Sequence, residues 1–230
     1  MLKSTSTLRL FTNLSKQNGV CNAVKCNFYS KDAKVVPSPI YELRIYQILA
    51  KDFKSTTELF KQYISLRTKH SKLLGFWNGE IGGSITQLVH LWEYESLSHR
   101  RKVRTGMMED KEWTTVFLPK LLPTIDDWTN ALVAPLPKSK LNLDLPSEPG
   151  AVYQLETIKG SATKPHSGAH KGEILVGRFV GVLGQTNTEY RLWRYADIDD
   201  LFAASWKRAL DEPQDGNSLL LYPISFSPLQ

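Results

Sequence analysis

The chain has 230 residues, 29 of them Lys or Arg and 23 Asp or Glu, so its formal net charge is +6, and 41% of its residues are hydrophobic. This length is enough for one large or two small hydrophobic cores. No apolar run approaches the length of about 18 residues that spans a bilayer, which predicts a soluble protein.

The first 31 residues contain five basic residues and no acidic residue. On a helical wheel Leu10 and Leu14 share one side, whereas Arg9 and Lys16 share another. This composition is typical of a mitochondrial presequence, and a secretory signal would need an apolar stretch that is absent here. We predict import into mitochondria, with the matrix as the destination and a cut at roughly residues 28–34. A cytosolic protein with an unstructured tail is the open alternative.

Removing the presequence changes the charge argument, because residues 32–230 then carry a net charge of only +1. The mature chain has no basic and aromatic stripe, so we expect no nucleic-acid partner. Both cysteines, Cys21 and Cys26, fall in the presequence, which leaves no thiol for a disulfide or a metal site. We therefore expect no bound metal.

The next hundred residues alternate strand and helix signals. Tyr41, Leu43 and Ile45 alternate with polar residues, as in a half-buried strand. Ser55 followed by Glu58 is a capping box that predicts a helix start. The predicted elements are, in order, a strand over 41–49, a helix over 55–71, strands over 74–82 and 86–94 joined by a glycine hairpin at 82–84, helices over 97–108 and 111–121, and a closing strand over 129–136.

A motif of this first half returns about a hundred residues later. The motif consists of three glycines followed by Leu-Trp-x-Tyr. Its first copy is Gly75-Phe-Trp-Asn-Gly79-Glu-Ile-Gly82 with Leu91-Trp92-Glu-Tyr94, and its second copy is Gly177-Arg-Phe-Val-Gly181-Val-Leu-Gly184 with Leu192-Trp193-Arg-Tyr195. Such spacing indicates an internal duplication. The second copy predicts strands over 151–158, 174–183, 188–195 and 218–226, and a helix over 198–211.

The second copy is shorter by ten residues between its first strand and its glycine motif. Its segment over 160–172 contains Pro165 and several glycines, which disfavour a helix. We predict that the first helix of the second copy is absent or very short. The domain boundaries that follow are a presequence over 1–31, a first repeat over 32–136, a linker over 137–150 and a second repeat over 151–230.

The order β-α-β-β-α-β is that of the ferredoxin-like unit. Helices cover only one face of such a sheet, so the other face needs a partner. We predict an α+β fold in which two tandem ferredoxin-like repeats close into a dimeric α+β barrel-type domain, with strands inside and helices outside.

Separated motifs across residues 40–229 resemble the NIPSNAP family, its third branch most of all. These motifs are Tyr41-Glu-Leu-Arg, Leu66-Arg-Thr-x-His70-Ser, Leu74-Gly-Phe-Trp, Asp110-Lys-Glu-Trp113 and Pro223-Ile-Ser-Phe-Ser-Pro-Leu229. The resemblance implies a mitochondrial or cytosolic protein with this barrel, acting in the marking of damaged mitochondria for autophagy or in vesicle traffic. It supplies no catalytic residues. The chain departs from the family pattern at 160–172.

Strand alternation also yields a candidate pocket. If Leu43 and Leu91 face the helices, the opposite strand faces turn polar and aromatic side chains into the barrel. These candidates are Glu42, Arg44, Tyr46, His90, Trp92, Glu156, Arg191 and Trp193. Their charges either pair across the barrel or line a ligand site.

No histidine pattern predicts catalysis. His90 lies on a strand without a nucleophile or second base at a recognisable spacing, which favours a core or pocket residue over a general base. His166 and His170 are separated by residues that break a helix, so they do not form a helical metal pair. The sequence predicts no cofactor.

A basic segment begins the second helix, with Arg100, Arg101, Lys102 and Arg104. It is either a solvated helix face or a docking surface for an acidic protein or an anionic membrane. The leading hypothesis is therefore a mitochondrial interaction protein that works through its surface and is not an enzyme. The alternative is an enzyme or small-molecule binder using the barrel cavity. Homo-oligomers are compatible with either.

Overall fold

The computed structural model of this protein describes residues 38–137, 139–160, 172–211 and 215–230. Within these residues the chain forms eight strands, whose bounds lie within about four residues of those predicted. They are β1 (Ile40–Ile48), β2 (Lys72–Ile81), β3 (Gln87–Tyr94), β4 (Ile125–Pro135), β5 (Val152–Lys159), β6 (Glu173–Leu183), β7 (Thr188–Tyr195) and β8 (Gly216–Pro223).

The strands form one closed antiparallel barrel in the order β1-β3-β2-β8-β5-β7-β6-β4, with β4 pairing back to β1. The first half of the chain contributes β1 to β4 and the second half β5 to β8. The halves join at two seams, β2 with β8 and β4 with β6. Closure leaves no sheet edge exposed. The fold is therefore an α+β barrel, as predicted.

The described helices lie outside the barrel. They are α1 (Phe53–Tyr63), α2 (Ser65–Thr68), α3 (Leu97–Glu109), α4 (Leu118–Leu121) and α5 (Ile198–Asp211), and a π-helical turn over Trp113–Phe117 precedes α4. Helix α5 has the predicted bounds. The predicted capping box is wrong, because α1 begins at Phe53 and the Ser55 hydroxyl donates to the Asp52 carbonyl at 2.9 Å. None of the described helices has the length and hydropathy needed to cross a membrane.

The barrel interior is a single apolar core built by both halves. Tyr41 meets Phe179 edge to face, with ring centroids 5.3 Å apart, and Trp77 packs on Tyr153 at 5.4 Å. The other interior side chains include Leu43, Val89, Leu91, Val133, Leu155, Leu192 and Leu221. A cavity of only about 10 Å³ remains among these side chains. The interior is a packed core and does not form a channel.

The segment between the halves covers one end of this core. Leu141, Leu143 and Leu145 pack against the interior cluster. Arg194 Nη2 donates to Glu148 Oε2 at 2.9 Å, which ties the segment to β7. The segment thus closes one mouth of the barrel.

The predicted loss of a helix over 160–172 falls largely on residues 161–171, which lie outside the described residues. Gly160 and Gly172, on either side, have φ values of +76° and +86°. The hairpin prediction at 82–84 is confirmed at Gly82, whose φ is +94°. A Cβ at Gly82 would lie 1.8 Å from the Ser218 carbonyl oxygen, so this position requires glycine.

Candidate functional site

The predicted pocket residues lie on the outer face of the barrel, beneath the helices. The prediction that they face the barrel interior is wrong, and the correction applies to the whole set of Glu42, Arg44, Tyr46, His90, Trp92, Glu156, Arg191 and Trp193. In the first half, helix residues such as Phe60 and Val103 belong to one apolar cluster with Tyr46 and Trp92. Phe76, on which the His90 ring stacks, belongs to the same cluster. Trp193 packs with Leu201 and Ala204 of α5.

The reversal has a simple physical cause. Alternation assigns residues to two faces correctly, but it does not say which face points inward. A closed interior admits few polar groups because buried polar atoms need partners. The outer face receives arginines from the helices, which can neutralise strand carboxylates. The predicted pairing across the barrel is accordingly replaced by pairing within each half.

Glu42 on β1 is the centre of the first-half cluster. Its Oε1 accepts hydrogen bonds from Arg44 Nη1 at 3.0 Å, Arg100 Nη2 at 2.7 Å and Asn130 Nδ2 at 2.8 Å. Its Oε2 accepts from the Tyr94 hydroxyl at 3.1 Å. Burial alone would raise the pKa of Glu42, but the hydrogen bond from Arg100 and the charge of Arg44 overcome it and lower the pKa to about 2. Glu42 is therefore a permanent anion at neutral pH.

Arg67 of α2 adds a third positive charge to this cluster. Its Nη2 lies 3.9 Å from Glu42 Oε2 and donates to the Tyr94 hydroxyl at 3.1 Å. The guanidinium also lies over the Trp92 ring, 3.7 Å from its centroid. Burial lowers the pKa of Arg67, and the charge of Arg44 lowers it further. Three arginines thus converge on one carboxylate.

His90 is a neutral core histidine. Its ring is fully buried, stacks on Phe76 at 4.8 Å, and accepts a hydrogen bond at Nδ1 from Trp92 Nε1 at 2.6 Å. Burial lowers the pKa of His90 well below its usual value, and the charges of Arg44 and Arg67 lower it further. An imidazole in this environment fills the core, which agrees with the predicted preference for a core residue over a base.

The second half has its own cluster around Arg208 of α5. Its Nη2 donates to Gln154 Oε1 at 2.7 Å and to the Tyr195 hydroxyl at 2.6 Å, and its Nη1 donates to Glu173 Oε1. Arg208 Nε lies 3.1 Å from Glu156 Oε1. Glu156 Oε2 accepts a hydrogen bond from Trp193 Nε1 at 2.9 Å. Glu156 and Trp193 are therefore held in an internal network.

Arg191 belongs to a separate ion-pair group. Glu189 Oε1 accepts from Arg191 Nε at 2.6 Å and from Arg178 Nε at 2.7 Å. Arg191 and Glu189 are both almost fully buried. Arg191 lies directly opposite Glu156 in the pairing of β5 with β7, but its guanidinium pairs with Glu189.

The repeated Leu-Trp-x-Tyr motif has the same contact in both halves. The Tyr94 hydroxyl donates a hydrogen bond to Glu42 of β1 at 3.1 Å, and the Tyr195 hydroxyl donates one to Gln154 of β5 at 2.7 Å. Residues 42 and 154 each follow a tyrosine, Tyr41 or Tyr153, in the matched strands. The sequence shows the repeated tyrosine, but its contact with the first strand of each half was not predicted.

A cavity of about 470 Å³ opens beside the first-half cluster, between β1, β4 and the helices α1, α3 and α4. Four arginines line it, namely Arg44, Arg67, Arg100 and Arg104. The rest of its wall is mainly apolar and aromatic, with Tyr46, Phe60, Ile64, Met107, Phe117, Leu121 and Trp128 among its residues. The cavity unites two predicted pocket residues, Arg44 and Tyr46, with two residues of the basic segment. We call it the arginine cavity.

The four residues of the basic segment at the start of α3 have different surroundings in the structure. Ser96 caps the helix, its hydroxyl accepting from the His99 amide at 3.1 Å. Arg100 turns inward to Glu42, and Arg104 lines the rim of the arginine cavity. Arg101, Lys102 and Arg104 are all exposed, and of these three only Arg104 lines the cavity. Two of the four predicted surface residues are thus engaged at the cavity.

Helix α5 has an exposed apolar ridge that sequence reasoning did not identify. Its residues, Ile198, Phe202, Trp206 and Leu210, are 44%, 68%, 60% and 65% exposed. They follow one another at every fourth position, which places them in one row along the helix. The buried face of α5 instead carries Leu201, Ala204 and Arg208. Periodicity alone could not show which of the two faces is buried.

The open mouth of the barrel is lined mostly by neutral groups. Its cavity of about 300 Å³ is bordered by Gln87, Thr157, Gln185, Tyr190 and Asn217, with Lys159 as the charged residue. Across the part of the chain that the structure describes, no group of three or more His, Cys, Asp or Glu side chains could hold a metal ion. The mouth therefore offers no acid and base pair among these residues.

The chain matches a family model described as NIPSNAP over residues 41–140. It is also 30% identical to Protein NipSnap homolog 3A of Homo sapiens, in an alignment covering 89% of this chain and 92% of that relative. The chain belongs to the NIPSNAP family. A NipSnap homolog of Dictyostelium discoideum is 28% identical, over 76% of this chain and 78% of its own length.

The NIPSNAP match contains the first-half cluster and the arginine cavity, whereas the apolar ridge of α5 lies beyond residue 140. A solved structure from Fusobacterium nucleatum shares the barrel fold at a TM-score of 0.57, covering 83% of this chain and 94% of that one. Its sequence identity is only 10%, so the likeness concerns the fold alone.

Proposed function

We propose that this NIPSNAP protein is a mitochondrial interaction protein, an adaptor that holds protein partners on its surface and is not an enzyme. The observation that carries the proposal is the apolar ridge of α5. Four large apolar side chains in one exposed row are unusual on an isolated soluble domain and typically mark a binding surface. Partner capture is the step through which such a protein would act in mitochondrial quality control or vesicle traffic.

The ridge is a specific feature of the second half. The repeated motifs place Trp193 at the position of Trp92, so Phe202 corresponds to Arg101 of α3 and Trp206 to Thr105. Both Arg101 and Thr105 are exposed. Leu97, which corresponds to Ile198, is also apolar and exposed, but the remaining three positions of the row are polar on α3 and apolar on α5. Packing within the barrel does not require the apolar row, which supports an intermolecular role.

The occupant that we propose for the ridge is a second copy of the chain, packed antiparallel. Beside the ridge run Asp199 near the start of α5, Ala203 at its middle and Lys207 near its end. In an antiparallel pair, Asp199 of each helix faces Lys207 of the other, and the small Ala203 allows a close approach at the twofold axis. The resulting adaptor presents two copies of the basic segment.

Sedimentation of the purified protein at increasing concentration tests the dimer. We expect a dimer that Phe202→Asp with Trp206→Asp converts to a monomer. The variant monomer should still fold, because substitutions at positions that are exposed in the monomer usually alter its stability by less than about 0.5 kcal/mol. Ile85→Asp, which also places a charge at an exposed apolar site, is the control and should remain dimeric.

A charge swap tests the antiparallel orientation. Asp199→Lys or Lys207→Asp alone should weaken the dimer by roughly threefold to tenfold, since each contact occurs twice. Combining the two substitutions should restore it. A monomeric wild-type protein at all concentrations would overturn the dimer. A double variant as weak as the single variants would overturn the antiparallel arrangement.

Arg101 and Lys102 are exposed and do not line the arginine cavity, and they form the surface that we propose for an acidic protein partner. Charge reversal at both residues should reduce capture of mitochondrial proteins in a salt-dependent way. The same capture should survive His90→Ala, since His90 is internal. Loss with the His90 variant and retention with the surface variant would favour an internal site.

The mitochondrial matrix remains our proposed location, with the cytosol as the alternative. The composition of the first 31 residues supports it, and these residues lie outside the described part of the structure. N-terminal sequencing of the protein from isolated mitochondria should find a cut near residues 28–34. An intact Met1 in mitochondrial protein would contradict the cleavage.

The alternative function, an enzyme or small-molecule binder using the barrel cavity, receives little support from the geometry. The interior is filled by apolar side chains, and the charged residues that it required lie outside the barrel. Among the described residues that line the open mouth, no acid and base pair is present to catalyse a reaction.

A further inference from the structure

We infer that the arginine cavity binds a small anionic amphiphile, an alkyl or aryl carboxylate whose charged head meets the arginines and whose apolar body fills the space beneath α1 and α4. This inference is independent of the adaptor proposal, which rests on α5. The volume of about 470 Å³ lies within the range of small-molecule sites, roughly 300–1,000 Å³.

An excess of positive charge requires an anionic ligand head. Arg44 and Arg67 are only 8% and 6% exposed, and Arg100 reaches the same cluster from α3. Against these three charges the cluster contains one carboxylate, Glu42. The Arg104 guanidinium adds a fourth positive charge at the rim. No carboxylate occurs among the cavity-lining residues in the described ranges, so the arginines outnumber their anions.

The hydrogen bonds of Glu42 are already committed. Its Oε1 accepts from Arg44, Arg100 and Asn130, and its Oε2 accepts from Tyr94. The Nε atoms of Arg44 and Arg67 are buried and have no hydrogen-bond partner among the described residues. Buried cationic donors without partners are costly. A carboxylate entering the cavity, which Arg44 and Arg67 line, would supply the missing negative charge.

The remaining wall selects an apolar body for the ligand. Phe60, Phe117 and Leu121 form the deep side, and the exposed ring of Trp128 stands at the entrance. Met107 and Met108 lie on the α3 side, where flexible thioether side chains adapt to varied ligand shapes. Inorganic anions and short acids such as acetate would leave this wall exposed to water. An amphiphile satisfies both parts of the cavity.

Titration calorimetry with decanoate tests the inference, with decanol as the uncharged analogue and acetate as the anion without a tail. We expect saturable binding of one decanoate per chain and at least tenfold weaker binding of decanol and acetate. Decanoate should also raise the melting temperature, because a ligand that binds only the folded state stabilises it. Equal binding of decanol, or no saturable binding of decanoate, would overturn the inference.

Two arginines of α3 provide a matched pair of variants. Both side chains are exposed, but Arg104 lines the cavity and Arg101 does not. Arg104→Gln should weaken decanoate binding about tenfold, as expected for one charge-assisted hydrogen bond. Arg101→Gln should leave it within about twofold. Equal effects of the two substitutions would indicate general electrostatic attraction and overturn the assignment to the cavity.

A lipid surface could also present an anionic head and an apolar body to these arginines. Flotation with phosphatidylserine vesicles separates the two sources. Decanoate binding without vesicle binding supports a pocket for a free amphiphile. Vesicle binding that is lost in Arg104→Gln, with no binding of decanoate, would assign the same residues to a membrane surface and overturn the pocket.

Discussion

Replacing Glu42 by glutamine removes the one anion of the first-half cluster while preserving the shape of the side chain. The amide oxygen of the substitute can still accept from Arg100 or Asn130. Its amide nitrogen, however, cannot accept from the Tyr94 hydroxyl as Glu42 Oε2 does. Arg44 and Arg67 would remain buried without a counter-charge. Breaking a buried ion pair in this way typically costs roughly 3–5 kcal/mol.

The pKa of Glu42 gives a second measure of the same interaction. Since one pKa unit corresponds to about 1.36 kcal/mol, the fall of this pKa from 4.5 to about 2 corresponds to roughly 3 kcal/mol. Because the folded-state pKa lies below the unfolded value, this stabilisation is fully present above pH 4.5 and is lost as the pH falls toward 2. We therefore expect Glu42→Gln to destabilise the protein by about 3 kcal/mol at pH 7.

Urea unfolding of wild type and variant between pH 7 and pH 2 measures the free energy of unfolding, and thermal unfolding at pH 7 measures the melting temperature. The melting temperature should fall by about 6 to 12 °C at pH 7, and the two stability curves should converge below pH 4.5. Glu58→Gln, the same substitution at an exposed position of α1, is the control and should change stability by less than about 0.5 kcal/mol. A loss at Glu42 no larger than that at Glu58, or a gap independent of pH, would refute the reasoning.

Two further substitutions test the second half and the hairpin. Arg208→Met should cost about 3 kcal/mol or more by urea unfolding, because it leaves Glu173 without its buried arginine; Lys207→Met on the exposed side of the same helix should be nearly neutral. Gly82→Ala should destabilise far more than Gly150→Ala. Both glycines have positive φ, but an added Cβ meets the backbone only at Gly82. Equal melting temperatures for the two alanine variants would contradict this.

The strands and α5 were predictable from the sequence because their signals are local. Alternation over 41–49 and the repeated glycines fix β1, β2 and β6 to within a few residues. Helix α5 has apolar residues at helical spacing and two acidic residues, Asp199 and Asp200, in its first turn. Its bounds, Ile198–Asp211, match the prediction. Closure into an α+β barrel followed from the need to cover the open faces of the sheets.

The side of the strands that faces inward was not predictable from alternation. Leu43 and Trp92 lie on opposite faces, and both are almost fully buried. Each strand is therefore covered on both sides, and hydrophobicity does not separate the interior from the helix-covered face. The deciding contacts come from arginines far away in sequence. Arg67 and Arg100 reach Glu42 from α2 and α3, and no spacing rule connects these positions.

The two halves share the contact of the motif tyrosine with the first strand, but they differ in the charged residues around it. In the first half the motif tyrosine meets Glu42, and three arginines surround that single carboxylate. In the second half the corresponding position is Gln154, and Arg208 meets the two carboxylates of Glu156 and Glu173. The surplus beside the arginine cavity is therefore positive, whereas in the second half a single arginine joins two carboxylates.

Such an asymmetry is open to a fused chain but not to a symmetric dimer of identical halves, in which every substitution occurs twice. The arginine cavity and the apolar ridge lie on different halves, on the outer faces of a barrel whose interior is mostly packed with apolar side chains. Binding at one face leaves the other face free. Ligand binding in the first half and self-association through the second can then vary independently, and substitutions at Arg104 and at Phe202 should affect one property without affecting the other.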